Sequence, residues 1–89
     1  MGQIRQIIKR DGRHVPFDQT KITNAIYAAA TVLGGQDRST AEQLSADIVA
    51  YLTDEQQIAE PTVEQVQDAV EKILIEKGHA RTAKEYILY

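Results

Sequence analysis

Apolar residues recur along the chain at two different periods, and the change of period falls near residue 18. From Gln3 to Ile8 the pattern is short and strand-like, with Ile4 and Ile8 assigned to one face. Asp11-Gly12 follows, a strong short hairpin signal that suits a type I′ turn. His14 to Phe17 is the predicted return strand, and Pro16 confines it to an edge or to the end of pairing. Beyond Asp18, a good N-cap, Ile22, Ala25, Ile26, Ala29, Ala30 and Leu33 repeat at helical spacing until Gly34-Gly35 stops them.

Three more helices are predicted. Ser39-Thr40-Ala41-Glu42 has the form of a capping box opening a helix to about Thr53, with Ala41, Leu44, Ile48 and Tyr51 or Leu52 inward. A polar linker, Asp54 to Glu60, comes next. Thr62 caps a third helix with Gln65 reaching back; its stripe is Val63, Val66, Val70, Ile73 and Leu74, and Gly78 is its stop. A last helix runs roughly from Arg81 to Tyr89, with Ala83, Tyr86, Ile87 and Leu88 apolar. The expected fold is α+β: an N-terminal β-hairpin or small sheet packed on a bundle of about four helices. Eighty-nine residues make a single domain, 1–89. The abrupt apolar end at Tyr89 suggests an N-terminal piece of a longer chain.

Composition narrows the chemistry. The chain contains no cysteine, which removes disulfides, thiolate metal sites and a cysteine nucleophile. The two histidines, His14 and His79, lie far apart in sequence and make a poor metal pair. No apolar run is long enough for a membrane span and no signal peptide is evident, so the expected compartment is the cytoplasm. No catalytic arrangement and no Walker-type loop stands out.

Net charge is −3, which argues against general nucleic-acid binding. Its distribution is more informative. Residues 1–23 carry Arg5, Lys9, Arg10, Arg13 and Lys21 against Asp11 and Asp18, a net of +3. Residues 24–76 set Arg38 and Lys72 against ten acids, a net of −8, and residues 77–89 return to +2. A fold that joined the two basic ends would make a local anion site on an acidic protein. Lys21 supports that reading, because a cation in the first turn of a helix is unfavourable against the dipole unless an anion is shared there. A charge-assisted hydrogen bond contributes about 1.5–3 kcal/mol. Three of them with base burial reach a roughly micromolar affinity, about −8 kcal/mol. Arg13 and His14 read as surface charge.

Ile7-Ile8-Lys9-Arg10-Asp11-Gly12, then Val15-Pro16-Phe17-Asp18, Lys21-Ile22 and Ala25-Ile26, resembles the opening of an ATP-cone domain. Pro61 to Asp68, Val70-Glu71 and Ala83 to Tyr89 resemble its close, so the likeness spans essentially the whole chain. The resemblance implies an allosteric domain that binds ATP or dATP, with Mg2+, and sets the overall activity of a ribonucleotide reductase. It implies phosphate contacts from Lys9 and Arg10 and a phosphate or ribose contact from Lys21. Ile7 or Ile8, Val15 and Ile22 would wall the adenine, and backbone around Val15 to Phe17 would read its edge. Gln67 would make a polar contact from the third helix, and Ile87 would line the pocket from the last. The implied partners are the nucleotide, a catalytic domain of the same chain and, on effector binding, further copies in a homo-oligomer.

Two alternatives belong beside it. A nucleotide-sensing repressor joins an ATP-cone to a zinc ribbon, which needs four cysteines preceding the cone; this chain has none and starts at Met1. A protein-interaction module using the acidic middle would need no nucleotide site.

Overall fold

In a computed structural model of the chain, which describes residues 4–35 and 37–86, a two-stranded sheet leads into a layered set of helices. Strands β1 (Gln6–Ile8) and β2 (His14–Pro16) pair antiparallel, with Ile7 opposite Val15. The pairs Lys9–Arg13 and Arg5–Phe17 are joined by backbone hydrogen bonds, from Lys9 N–H to Arg13 C=O (2.8 Å) and from Phe17 N–H to Arg5 C=O (2.9 Å). Because bonded and non-bonded pairs alternate in an antiparallel ladder, Pro16 falls on a non-bonded pair, where its missing N–H removes nothing from this ladder.

The turn is not the expected type I′. Only Gly12 has positive φ (87°), and its N–H bonds to Lys9 C=O at 2.9 Å. Arg10, Asp11 and Gly12 thus form a three-residue loop, a turn closed by a residue in the left-handed region. Asp-Gly suits both geometries, and the Lys9–Arg13 pairing decides between them. The inward face also differs from expectation: Ile4 and Ile7 are buried at 8% and 1% exposure, whereas Ile8 is half-buried on the opposite face from Ile7.

Helix α1 (Gln19–Val32) is capped by Asp18, which accepts from Thr20 N–H at 2.9 Å. Helix α2 (Arg38–Ala50) starts at Asp37 and not within the Ser39–Glu42 box, because the nearer carboxylate takes the amides of both Ser39 and Thr40. It does not run on as regular helix to Thr53. A π-helical turn, Tyr51–Glu55, closes it, with Gln56 N–H donating to Tyr51 C=O and the Thr53 hydroxyl donating to Val49 C=O. The expected linker is therefore shorter, and Leu52 remains inward at 1% exposure.

Helix α3 (Val63–Glu76) carries its apolar stripe as read: Val63, Val66, Val70, Ile73 and Leu74 are all buried. Its end is a Schellman closure in which Gly78 (φ 86°) donates to Ile75 and His79 to Leu74, and helix α4 (Ala80–Glu85) begins at once. Thr82, Ala83 and Tyr86 are buried; Ile87 and Leu88 lie outside the described residues. Helix α1 packs along α2 and against α4, while α3 packs on α2 and α4. The core between them takes in Ile7, Ile22, Ile26, Ile48, Leu52 and Leu74, with Val15 and Phe17 packed at its margin.

Candidate functional site

The hairpin's place in the molecule follows from one edge of β1. Ile8 N–H donates to Pro61 C=O at 2.9 Å, and Ile8 forms a parallel bridge with Thr62. Strand β1 therefore lies between β2 and the residues that open α3. A Thr62–Gln65 capping box fixes that opening: Gln65 N–H donates to the Thr62 hydroxyl (3.1 Å) and Thr62 N–H to the Gln65 side chain (2.9 Å). The hairpin tip thus docks on a helix N-terminus, where an anion is favoured.

Lys9, Arg10, Asp11 and Val63 line a cavity of about 260 Å³ at this junction. Its charges are arranged in pairs. Arg13 grips Asp11 through its backbone N–H (3.0 Å) and its Nε (2.6 Å), and the backbone bond is the main reason the Asp11 carboxyl sits below the usual carboxylate range. Arg10 Nε meets Glu64 Oε1 at 3.1 Å. His14 Nδ1 lies 3.0 Å from Glu60 Oε1. Arg13 and His14 are surface residues, as expected, yet each has a defined partner: one neutralises the acid in the turn and the other ties β2 to the approach to α3.

The remaining expected site residues lie on several elements. Gln67 is half-buried on α3, one turn beyond Val63. Ile8 is half-buried beside Thr62, and Val15 and Phe17 are half-buried against the core. Ile22 is a core side chain at 1% exposure, so the solvent-facing group of that turn is its exposed neighbour Lys21, whose N–H bonds to Asp18 C=O. Lys9 and Arg10 share one cavity; Lys21, on α1, is not part of its lining. Ile87 lies outside the described residues. Thr62, Val63 and Glu64 were not singled out for the site. The complementary charges of Arg10 and Glu64 were the available signal, but pattern alone does not say which of ten acids the hairpin will meet.

Two other cavities suit a polyphosphate less well. One of about 320 Å³ among α1, α2 and α4 is lined by Ile26, Leu33, Leu44 and His79 with Asp37, and no lysine or arginine contributes to it. The other, about 420 Å³ between α1 and α2, contains Arg38, but that guanidinium bonds to Asn24, lies 3.9 Å from Glu42 and sits over the Tyr27 ring. Among the described residues no group of three or more His, Asp or Glu side chains is placed to hold a metal ion, and no helix is long and apolar enough to cross a membrane.

Comparison with known proteins identifies a family and relatives. The ATP cone domain family model matches residues 5–89. A vitamin B12-dependent ribonucleoside-diphosphate reductase of Thermoplasma acidophilum is 42% identical over 91 residues, covering 97% of this chain and 12% of that protein. Ribonucleoside-diphosphate reductase alpha subunits of Treponema pallidum and Chlamydia trachomatis are 36% and 34% identical, each over 93% of this chain. The chain spans about a tenth of the length of these relatives, 9–12%.

Proposed function

The chain belongs to the ATP-cone family, and from that premise we propose that it is an adenine-nucleotide sensor which sets the overall activity of a ribonucleotide reductase. The observation that carries this reading is the placement of Lys9 and Arg10 in one cavity at the N-terminus of α3. Two cations on the hairpin, facing a helix start, offer charge-assisted bonds to a polyphosphate. Lys21 would add a third cation from the first turn of α1. Val15, Phe17 and Gln67 would provide the base-binding side, backed by the buried Ile22, with Ile8 on the hairpin's other face. Mg2+ would arrive with the nucleotide, since the described residues supply no acidic cluster of their own for it.

In this reading the domain does no bond-making chemistry. ATP or dATP is its ligand, the catalytic domain of the same chain is its target, and a change of oligomeric state is the output. The compartment is the cytoplasm, where nucleotides are reduced.

Isothermal titration with ATP, dATP and GTP tests the proposal. Micromolar adenine-nucleotide binding, weaker for GTP, is expected. Lys9→Ala with Lys21→Ala should weaken ATP binding at least tenfold, about 1.4 kcal/mol, while the far-ultraviolet circular dichroism stays unchanged. Undiminished binding in that double variant, or no binding by a folded wild type, would remove the nucleotide site from these residues.

A further inference from the structure

One of the cations lining the cavity at the hairpin tip already meets an anion belonging to the protein. Of the acids near it, Asp11 is neutralised by Arg13 and Glu60 faces His14. Glu64 is different, because its partner is Arg10, one of the two cations that line the cavity. Glu64 stands in the first turn of α3, where a carboxylate is favoured by the helix dipole. From there it reaches across to the turn of the hairpin.

Resting on the nucleotide reading above, we propose that Glu64 is a built-in competitor of the polyphosphate: it occupies Arg10 until a ligand takes its place, and so sets nucleotide affinity. Both side chains are largely exposed, 77% for Arg10 and 55% for Glu64, and an exposed ion pair is weak and readily exchanged. A triphosphate carries several charges and a helix-terminal carboxylate only one, so the ligand wins the guanidinium. The displaced carboxylate stays on α3 beside the phosphates and repels them. Glu64 therefore opposes binding twice, by holding Arg10 beforehand and by like charge afterwards. One unit charge a few ångström from a phosphate changes affinity about fivefold in water-like surroundings, and more where water is partly excluded.

The test is titration of the chain with ATP and with inorganic tripolyphosphate, which shares the phosphates but has no base. Four substituted forms are compared with wild type: Glu64→Gln, Glu60→Gln, Arg10→Ala, and Arg10→Ala combined with Glu64→Gln. Thermal melts establish that each is folded. Glu64→Gln should tighten both ligands about fivefold to tenfold. Glu60→Gln removes an equal charge nearby but leaves Arg10 paired, and should change affinity less than about twofold. In the Arg10→Ala background the Glu64→Gln gain should shrink to its like-charge share, about fivefold or less.

Unchanged or weaker binding in Glu64→Gln overturns the proposal, since Glu64 would then be orienting Arg10 for the ligand. An equal gain from Glu60→Gln also overturns it, because the effect would be net charge alone. The same holds if the gain is undiminished without Arg10. A wild type silent toward ATP with a Glu64→Gln form that binds would support the competitor while refuting nucleotide sensing by the native chain. Silence from both would overturn both.

Discussion

Asp37 accepts from the Ser39 amide (3.0 Å) and hydroxyl (2.6 Å) and from the Thr40 amide (3.4 Å) and hydroxyl (2.8 Å). The Ser39 and Thr40 side chains, in that order, hold its carboxyl below the ordinary 3.8. A carboxyl depressed on folding adds stability above its unfolded value and loses it as pH falls through the folded one. Asp37→Asn keeps a capping oxygen but does not ionise. Urea titrations should therefore show wild type ahead near neutrality, with the gap closing as pH drops below 3.8; a gap constant with pH would contradict this role for Asp37. Residues of this kind were only partly legible. Lys9, Arg10 and Lys21 stand out from sequence because their anomaly is local, a cluster of cations and a lysine in a helix's first turn. Asp37 does not stand out beside the Ser39–Glu42 motif, since which side chain caps a helix start depends on backbone geometry. Glu64 could not be identified before the hairpin's docking was known.

Among the elements, α3 has the most to organise. Its Thr62–Gln65 box and buried stripe were both readable, because cap and periodicity reinforce each other over a run of 14 residues. The hairpin was readable in outline only: three-residue strands leave too few positions to fix which isoleucine points inward, and Ile7 took the place assigned to Ile8. The box also serves the hairpin, since Thr62 is the residue that bridges to β1. Thr62→Ala should cost about 1 kcal/mol in urea unfolding, with the slope of the transition unchanged. Loss on that scale would show the cap to be formed in solution; a neutral variant would show that it contributes nothing.

Across the whole molecule, stability rests on a small interior. Leu74 is fully buried at 0% exposure, on the helix that packs against α2 and α4. Leu74→Ala should remove about 2–5 kcal/mol, a large share of the roughly 5–15 kcal/mol available to a domain. A thermal midpoint lowered by only a degree or two would mean that the core closes over the gap. Charge at this scale was half legible. The basic hairpin and acidic middle were evident from sequence, but Arg10 pairs with Glu64 in the first turn of α3 and the His14 ring meets Glu60 just before that helix. Sequence gives the sign of each segment, whereas packing chooses the neighbours.

The bond from Ile8 to Pro61 joins β1 to the residue before the α3 cap, far along the chain, which has a consequence for how the chain assembles. Helices α1 and α2 lie wholly within the loop that this contact closes. Closing so long a loop carries an entropic cost that local contacts do not, and an isolated two-stranded hairpin is barely stable by itself. The helices have reason to collapse first and the hairpin to dock late, on a surface already built. Its tip, with Lys9 and Arg10, would then be among the last parts to become ordered and among the first to open.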